Sequence, residues 1–197
     1  MAQITIQQLN FTYEGASDPV FTGLTATLDT DWRLGLIGRN GRGKTTLLRL
    51  LAGELPDGGA IHRSMLVSLY PFALPKEVET LPALQVAKDC VAPFTVLEQG
   101  MHEAIEAGEA GLARYGDLEE QYAALGGYTV ESDLQREAGL LGVSEPVLAR
   151  PFGTLSGGER EKLLLAALFL RKNHFLLIDE PTNHLDIDAI EWLEGFL

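Results

Sequence analysis

Gly38-Arg39-Asn40-Gly41-Arg42-Gly43-Lys44-Thr45 is the stretch that decides the fold. It fits the pattern G-x-x-x-x-G-K-[ST]. The glycines let the backbone curl so that successive N–H groups point inward at phosphate oxygens. The apolar run Arg33–Ile37 before it reads as a strand. Thr45–Gly53 after it reads as a helix, with Leu47, Leu48, Leu50 and Leu51 on one stripe and Gly53 as its stop. A loop feeding a helix N-terminus meets about half a positive charge there. Lys44 is then the cation for the outer phosphates and the Thr45 hydroxyl a ligand for Mg²⁺.

Phe175–Ile178 is four apolar residues followed by Asp179 and Glu180. A buried parallel strand delivers such a carboxylate to its C-terminal edge, where ligands bind in open α/β sheets. Asp179 is placed to hold Mg²⁺, and Glu180 to orient or deprotonate an attacking water. Leu155-Ser156-Gly157-Gly158-Glu159 combines a capping box, Ser156 with Glu159, with two glycines in a first helical turn. Each glycine costs that helix about 1 kcal/mol relative to Ala. Their use is to let an anion approach a second helix N-terminus.

Elsewhere the chain reads as strands over residues 3–9, 20–28 and 61–70. Helices are expected over 96–107, 112–125, 133–141, 145–149, 157–170 and 187–196. Ser132 with Gln135 suggests a capping box for the third of these. Composition shifts after residue 75. Residues 76–150 hold fourteen acidic and five basic side chains, so −9 of the net charge of −13 lies there, whereas residues 1–75 balance six against six. A field of that sign argues against direct nucleic-acid binding. Cys90 is the lone cysteine, so no intrachain disulfide forms, and no partner motif marks it as a nucleophile. The N-terminus has no signal-peptide pattern. The longest apolar run, Leu163–Leu170, is far short of the about 20 residues that span a bilayer. A cytoplasmic protein that does not span the membrane is the expectation.

The ordered motifs resemble those of the ATP-binding cassette (ABC) ATPases. Gly38–Thr45 resembles the Walker A loop, Leu155–Glu159 the signature, Phe175–Glu180 the Walker B strand and Asn183-His184-Leu185-Asp186 the D-loop. The string Asp179–Asp186 is similar to the ABC-F subfamily, and residues 126–132 with 154–159 resemble its ribosome-protecting, antibiotic-resistance branch. The resemblance implies an α/β fold, a P-loop NTPase of the ABC type with an antiparallel β subdomain and an inserted helical subdomain. Residues 1–75 and 151–197 would be the nucleotide-binding core and 76–150 the acidic insert.

The resemblance also implies a site. Tyr13, with Phe11 as competitor, would stack on adenine. Gly38, Asn40, Gly41, Gly43, Lys44, Thr45 and Thr46 would cradle the phosphates of ATP, and Thr45 and Asp179 would hold Mg²⁺. Glu180 and Lys44 would be catalytic. Ser156, Gly157, Gly158 and Asp186 would serve a site completed by a second cassette packed head to tail, in the same chain or in a homodimer. His184 belongs to the D-loop rather than to the switch histidine. The ribosome is the implied partner, reached through regions outside this sequence. A subunit of a membrane transporter and a non-hydrolysing dimerisation module are the alternatives. Two departures stand out: Phe72 lies where the family places a glutamine, and Leu197 comes before the switch histidine, as expected of an N-terminal cassette cut short and inactive or nearly so alone.

Overall fold

The structure, a computed structural model, describes residues 3–182 and 185–196. Internal packing divides it into two compact units, Met1–Pro71 with Asn173–Pro181, and Phe72–Lys172 with Thr182–Leu197.

In the first unit, β1 (Gln3–Phe11) runs antiparallel between β2 (Phe21–Asp29) and β3 (Ile61–Arg63). Ile4 and Ile6 face the core, and so do Leu9 and Phe11, which have the opposite parity. A bulge reconciles them. The register with β2 shifts between Ile6 and Leu9, and Gln8 takes φ 50°. Asn10 braces it, donating to the Gln8 carbonyl at 2.8 Å and accepting from the Gly23 amide at 2.9 Å.

A second, parallel ladder joins β4 (Leu66–Tyr70) and β5 (His174–Ile178). The Asp179 amide continues it, donating to Tyr70 O at 3.0 Å. Helix α1 (Lys44–Ala52) touches both strands. Leu48, Leu50 and Leu51 share a core with Ile4, Ile6, Leu9, Phe11, Ile61 and Leu177. Arg63 fastens the far end of α1, donating to the carbonyls of Leu50 (2.5 Å) and Leu51 (2.7 Å) while pairing with Asp57 at 2.8 Å. Such bonds satisfy carbonyls that a helix C-terminus leaves orphaned.

Two strand expectations change. Arg33–Ile37 forms no strand and belongs to neither sheet; Ile37 is 96% exposed. A strand is a pairing, and among the described residues this run has no ladder partner. The expected strand over 61–70 is two strands, broken at Ser64-Met65 and divided between the two sheets.

The second unit holds α2 (Ala83–Val91), α3 (Phe94–Glu106), α4 (Leu112–Leu125), α5 (Val130–Leu140), α6 (Glu145–Leu148), α7 (Gly157–Phe169) and α8 (Ile187–Phe196). Three 3₁₀ turns, Lys76–Thr80, Gly108–Gly111 and Phe152–Thr154, connect them. Leu163–Leu168 are all buried, since α7 is covered by α2 and α5 and its Phe169 meets Trp192 of α8 edge-on at 5.4 Å. The packing of α7 therefore puts the unit boundary at Lys172, whereas the composition shift falls near residue 150.

Lys88 is 8% exposed. Its ammonium bonds both oxygens of Glu98 (3.0 and 3.1 Å) and Glu131 (3.3 Å), and the Tyr122 hydroxyl donates to Glu98 at 3.0 Å. That links α2, α3, α4 and α5 through one charge cluster. Burial works against the Lys88 cation, but the two carboxylates outweigh it and raise its pKa.

Helix α2 was not expected. Its stripe is built of small residues, Ala83, Val86, Ala87 and Cys90, and no side chain caps its start at Pro82. Ser132 is not an N-cap. Helix α5 begins two residues earlier at Val130, and Ser132 Oγ donates back to Thr129 O at 2.8 Å. The turn into it explains the Gly126-Gly127 pair: Gly126 closes α4 at φ 87°, and a Cβ on Gly127 would lie 2.3–2.5 Å from the Tyr122 ring. Gly127→Ala is expected to destabilise the protein by about 1–3 kcal/mol through overpacking, read as a lower urea midpoint at unchanged slope.

Candidate functional site

The phosphate loop, Gly38–Gly43, is solvent-facing and runs straight into α1. Gly43 is the N-cap at φ 87°, with no side chain to cap the helix. A Cβ there would come within 2.7 Å of Val20 Cγ1 and 3.1 Å of Phe21 Cζ, so both backbone angle and space demand glycine. Gly41 also has positive φ, 75°, and Asn40 lies in the exposed turn beside it. Lys44 curls back across the loop, its ammonium donating to Gly38 O at 2.9 Å and reaching Arg39 O at 3.5 Å. The Lys44 ammonium and the N-terminus of α1 thus lie at the same loop.

Thr45 Oγ1 donates to Asp179 Oδ2 at 2.6 Å. The first turn of α1 thereby meets the end of β5, although the two residues are 134 apart in sequence. Hydroxyl and carboxylate are both hard oxygen donors. Among the described residues no group of three or more His, Cys, Asp or Glu could hold a metal. A hydroxyl beside one carboxylate could hold a cation whose other positions are filled by phosphate oxygens and waters, as those of Mg²⁺ commonly are. Glu180 follows with φ 45°, a left-handed conformation that costs a non-glycine residue on the order of 1 kcal/mol or more.

Phe11 and Tyr13 separate cleanly. Phe11 is 8% exposed within the core, while Tyr13 is 39% exposed and packs edge-on against it at 4.9 Å. The Tyr13 hydroxyl meets Thr46 Oγ1 at 3.0 Å, which fixes the ring next to the loop. The first unit thus brings together Tyr13, Gly38, Asn40, Gly41, Gly43, Lys44, Thr45, Thr46, Asp179 and Glu180.

In the second unit, Ser156 caps α7 with the expected box. Its Oγ accepts from the Glu159 amide at 3.2 Å, and Glu159 Oε2 accepts from the Ser156 amide at 2.7 Å. Those bonds, the backbone one first, hold the Glu159 carboxyl below its usual range. Ser156 and Gly157 are exposed and Gly158 half-buried, and a Cβ on Gly157 would meet nothing within 4 Å. Asp186 caps α8, accepting from the Ala189 amide at 3.0 Å, and pairs with Lys162 at 2.5 Å. Asn183 and His184 lie outside the described residues.

Phe72 carries the Arg171 guanidinium 4.8 Å from its ring centroid, and Arg171 Nε donates to the Cys90 carbonyl at 2.6 Å. Burial pushes the Cys90 thiol up to about 12, which leaves it protonated and inert at neutral pH. His174 bonds Ser68 at 2.6 Å between paired strands, a packing role, and His102 lies 3.4 Å from Glu106 on the exposed face of α3. Arg63, Arg171 and Lys162 escape a sequence reading, because each acts on a backbone or a carboxylate that only folding brings near.

A phosphate loop whose threonine meets a strand-end carboxylate defines a nucleoside-triphosphate-binding protein of the P-loop class. The chain belongs to the ABC transporter family of ATP-binding cassettes, whose profile matches residues 21–183. It is 38% identical over 192 residues to the tylosin resistance ATP-binding protein TlrC of Streptomyces fradiae, covering 90% of this chain and 34% of that one. Probable ATP-binding protein YheS of Escherichia coli K12 is 37% identical over 185 residues, covering 88% and 27%. ABC transporter F family member 5 of Arabidopsis thaliana is 31% identical over 197 residues, covering 90% and 28%. These relatives are of the ABC-F type, and the chain spans about a third of their length or less. Among solved structures, a putative ABC transporter ATP-binding protein from Pyrococcus furiosus matches in fold with a TM-score of 0.61 at 18% identity, covering 98% of this chain and 82% of that one. Among the described residues no helix is long and apolar enough to cross a membrane.

Gly157→Ala is expected to raise thermal stability by up to about 1 kcal/mol, because α7 gains helix propensity and meets no clash. Ser156→Ala is expected to cost about 1 kcal/mol. The Glu159 carboxyl is lowered in the fold, so its stabilisation is present above its ordinary value of 4.5 and lost as pH falls through the lowered one. A Glu159→Gln variant should therefore show a flatter stability curve on the acid side in denaturant titrations. Cys90 should resist a thiol-exchange reagent at pH 8 in the native protein and react at once in denaturant.

Proposed function

We propose that this chain is a nucleotide-binding cassette that takes Mg-ATP on its phosphate loop and hydrolyses it when paired head to tail with a second cassette. The observation that carries the reading is the 2.6 Å bond between Thr45 and Asp179, the two oxygens a phosphate-bound Mg²⁺ would share. When bound, that ion would neutralise charge between the outer phosphates. The protein's own part is positional. The amides and the Lys44 ammonium bind the phosphates, and Tyr13 offers an aromatic face to the base. Glu180 stands one residue beyond Asp179, placed to take the proton of an attacking water. Ser156, Gly157, Gly158 and Asp186 would serve the site of the opposing cassette. The likeness to ABC-F relatives, one of them a tylosin resistance protein, supports an ABC-F protein that acts on the ribosome and confers resistance. The net charge of −13 supports contact through regions other than this one where RNA is concerned.

Lys44→Ala is expected to weaken binding of a fluorescent ATP analogue by roughly 10- to 100-fold, the worth of a charge-assisted bond to phosphate. Asp179→Asn should remove the Mg²⁺ dependence of that binding. Glu180→Gln should leave binding intact and abolish phosphate release from the paired cassettes; undiminished release would remove Glu180 from its assigned role.

A further inference from the structure

Lys162 lies on α7 six residues beyond the Ser156 cap, and its side chain is 13% exposed. Its ammonium bonds Asp186 Oδ2 at 2.5 Å. The other Asp186 oxygen accepts the Ala189 amide, so one carboxylate caps α8 and grips α7 at once. The same ammonium stands beside the turn that ends α5, since a side chain on Gly142 would come 3.8 Å from it. A cation in the first half of α7 gains nothing from that helix's dipole, which favours anions there. Ordering a long side chain also costs entropy. Lys162 is compensated by a charge-assisted bond whose acceptor is itself fixed from the other side. The Lys162 bond, followed by the Ala189 amide, holds the Asp186 carboxyl below its usual range.

We propose that Lys162 is a positioning residue for nucleotide-dependent pairing. It ties Asp186, at the start of α8, to the helix that begins at Gly157, so that Ser156, Gly157, Gly158 and Asp186 meet a second cassette as one rigid surface. The inference rests on the head-to-tail pairing proposed above. Without Lys162 each part keeps its own cap, and only their mutual placement loosens.

The test uses the full 197-residue chain carrying Glu180→Gln, with ATP-dependent self-association followed by sedimentation velocity. Binding of a fluorescent ATP analogue is measured in parallel. Lys162→Met is expected to leave analogue binding unchanged and to weaken association roughly tenfold or more. Lys162→Arg should restore most of it. Asp186→Asn, which keeps a capping side chain, should weaken association to the same extent, and the double variant should be no worse than either single one. A lysine that merely stabilised the fold would lower the melting temperature and bring analogue binding and association down together. Undiminished association in Lys162→Met, additive losses in the double variant, or a parent that binds the analogue yet never associates would each overturn the proposal. Analogue binding that survives Lys44→Ala would instead overturn the nucleotide-site reading.

Discussion

The bond between Thr45 and Asp179 is the constraint around which the α/β unit is arranged. A hydroxyl on the first turn of a helix and a carboxylate at the end of a strand meet only if both elements are held from behind. The parallel pairing of β4 with β5 sets where Asp179 emerges, and the burial of Leu48, Leu50 and Leu51 sets where α1 starts. Gly43 is the joint between loop and helix, since no other residue fits against Val20 and Phe21 at that backbone angle. The chemistry is thus fixed by packing contacts that never touch a phosphate.

The helical unit follows a different rule. Its helices are short and several are weakly capped, and a charge cluster supplements their apolar core. Among the described residues Lys88 is the cation shared by Glu98 and Glu131, so removing it would leave the two carboxylates without their charge partner, with the Tyr122 hydroxyl still bonded to Glu98. A cluster centred on a buried lysine favours one helix arrangement over others of equal apolar burial.

The short local motifs were more legible than the elements around them. A phosphate loop is local chemistry written in eight adjacent residues, and the Ser156–Glu159 capping box is a pattern four residues long. The α1 stripe and α4 were readable for the same reason. What escaped depends on partners distant in sequence. Arg33–Ile37 has the composition of a strand but no ladder to join. The bulge at Gln8 appears only once β2 is set beside β1. Helix α2 hides in small residues whose burial comes from α7. The pairing of Lys162 with Asp186 carries no spacing signal, for the second half of α7 and the whole of β5 lie between them.

Helix α1 is anchored at its finish to the three-stranded sheet and at its start to the segment that follows β1. At its start Thr46 meets Tyr13, and at its finish Arg63 holds the carbonyls of Leu50 and Leu51. Sheet and helix therefore form a single cooperative block, and neither can open without breaking bonds to the other. The three-stranded sheet is thus the foundation of the helix into which the phosphate loop runs.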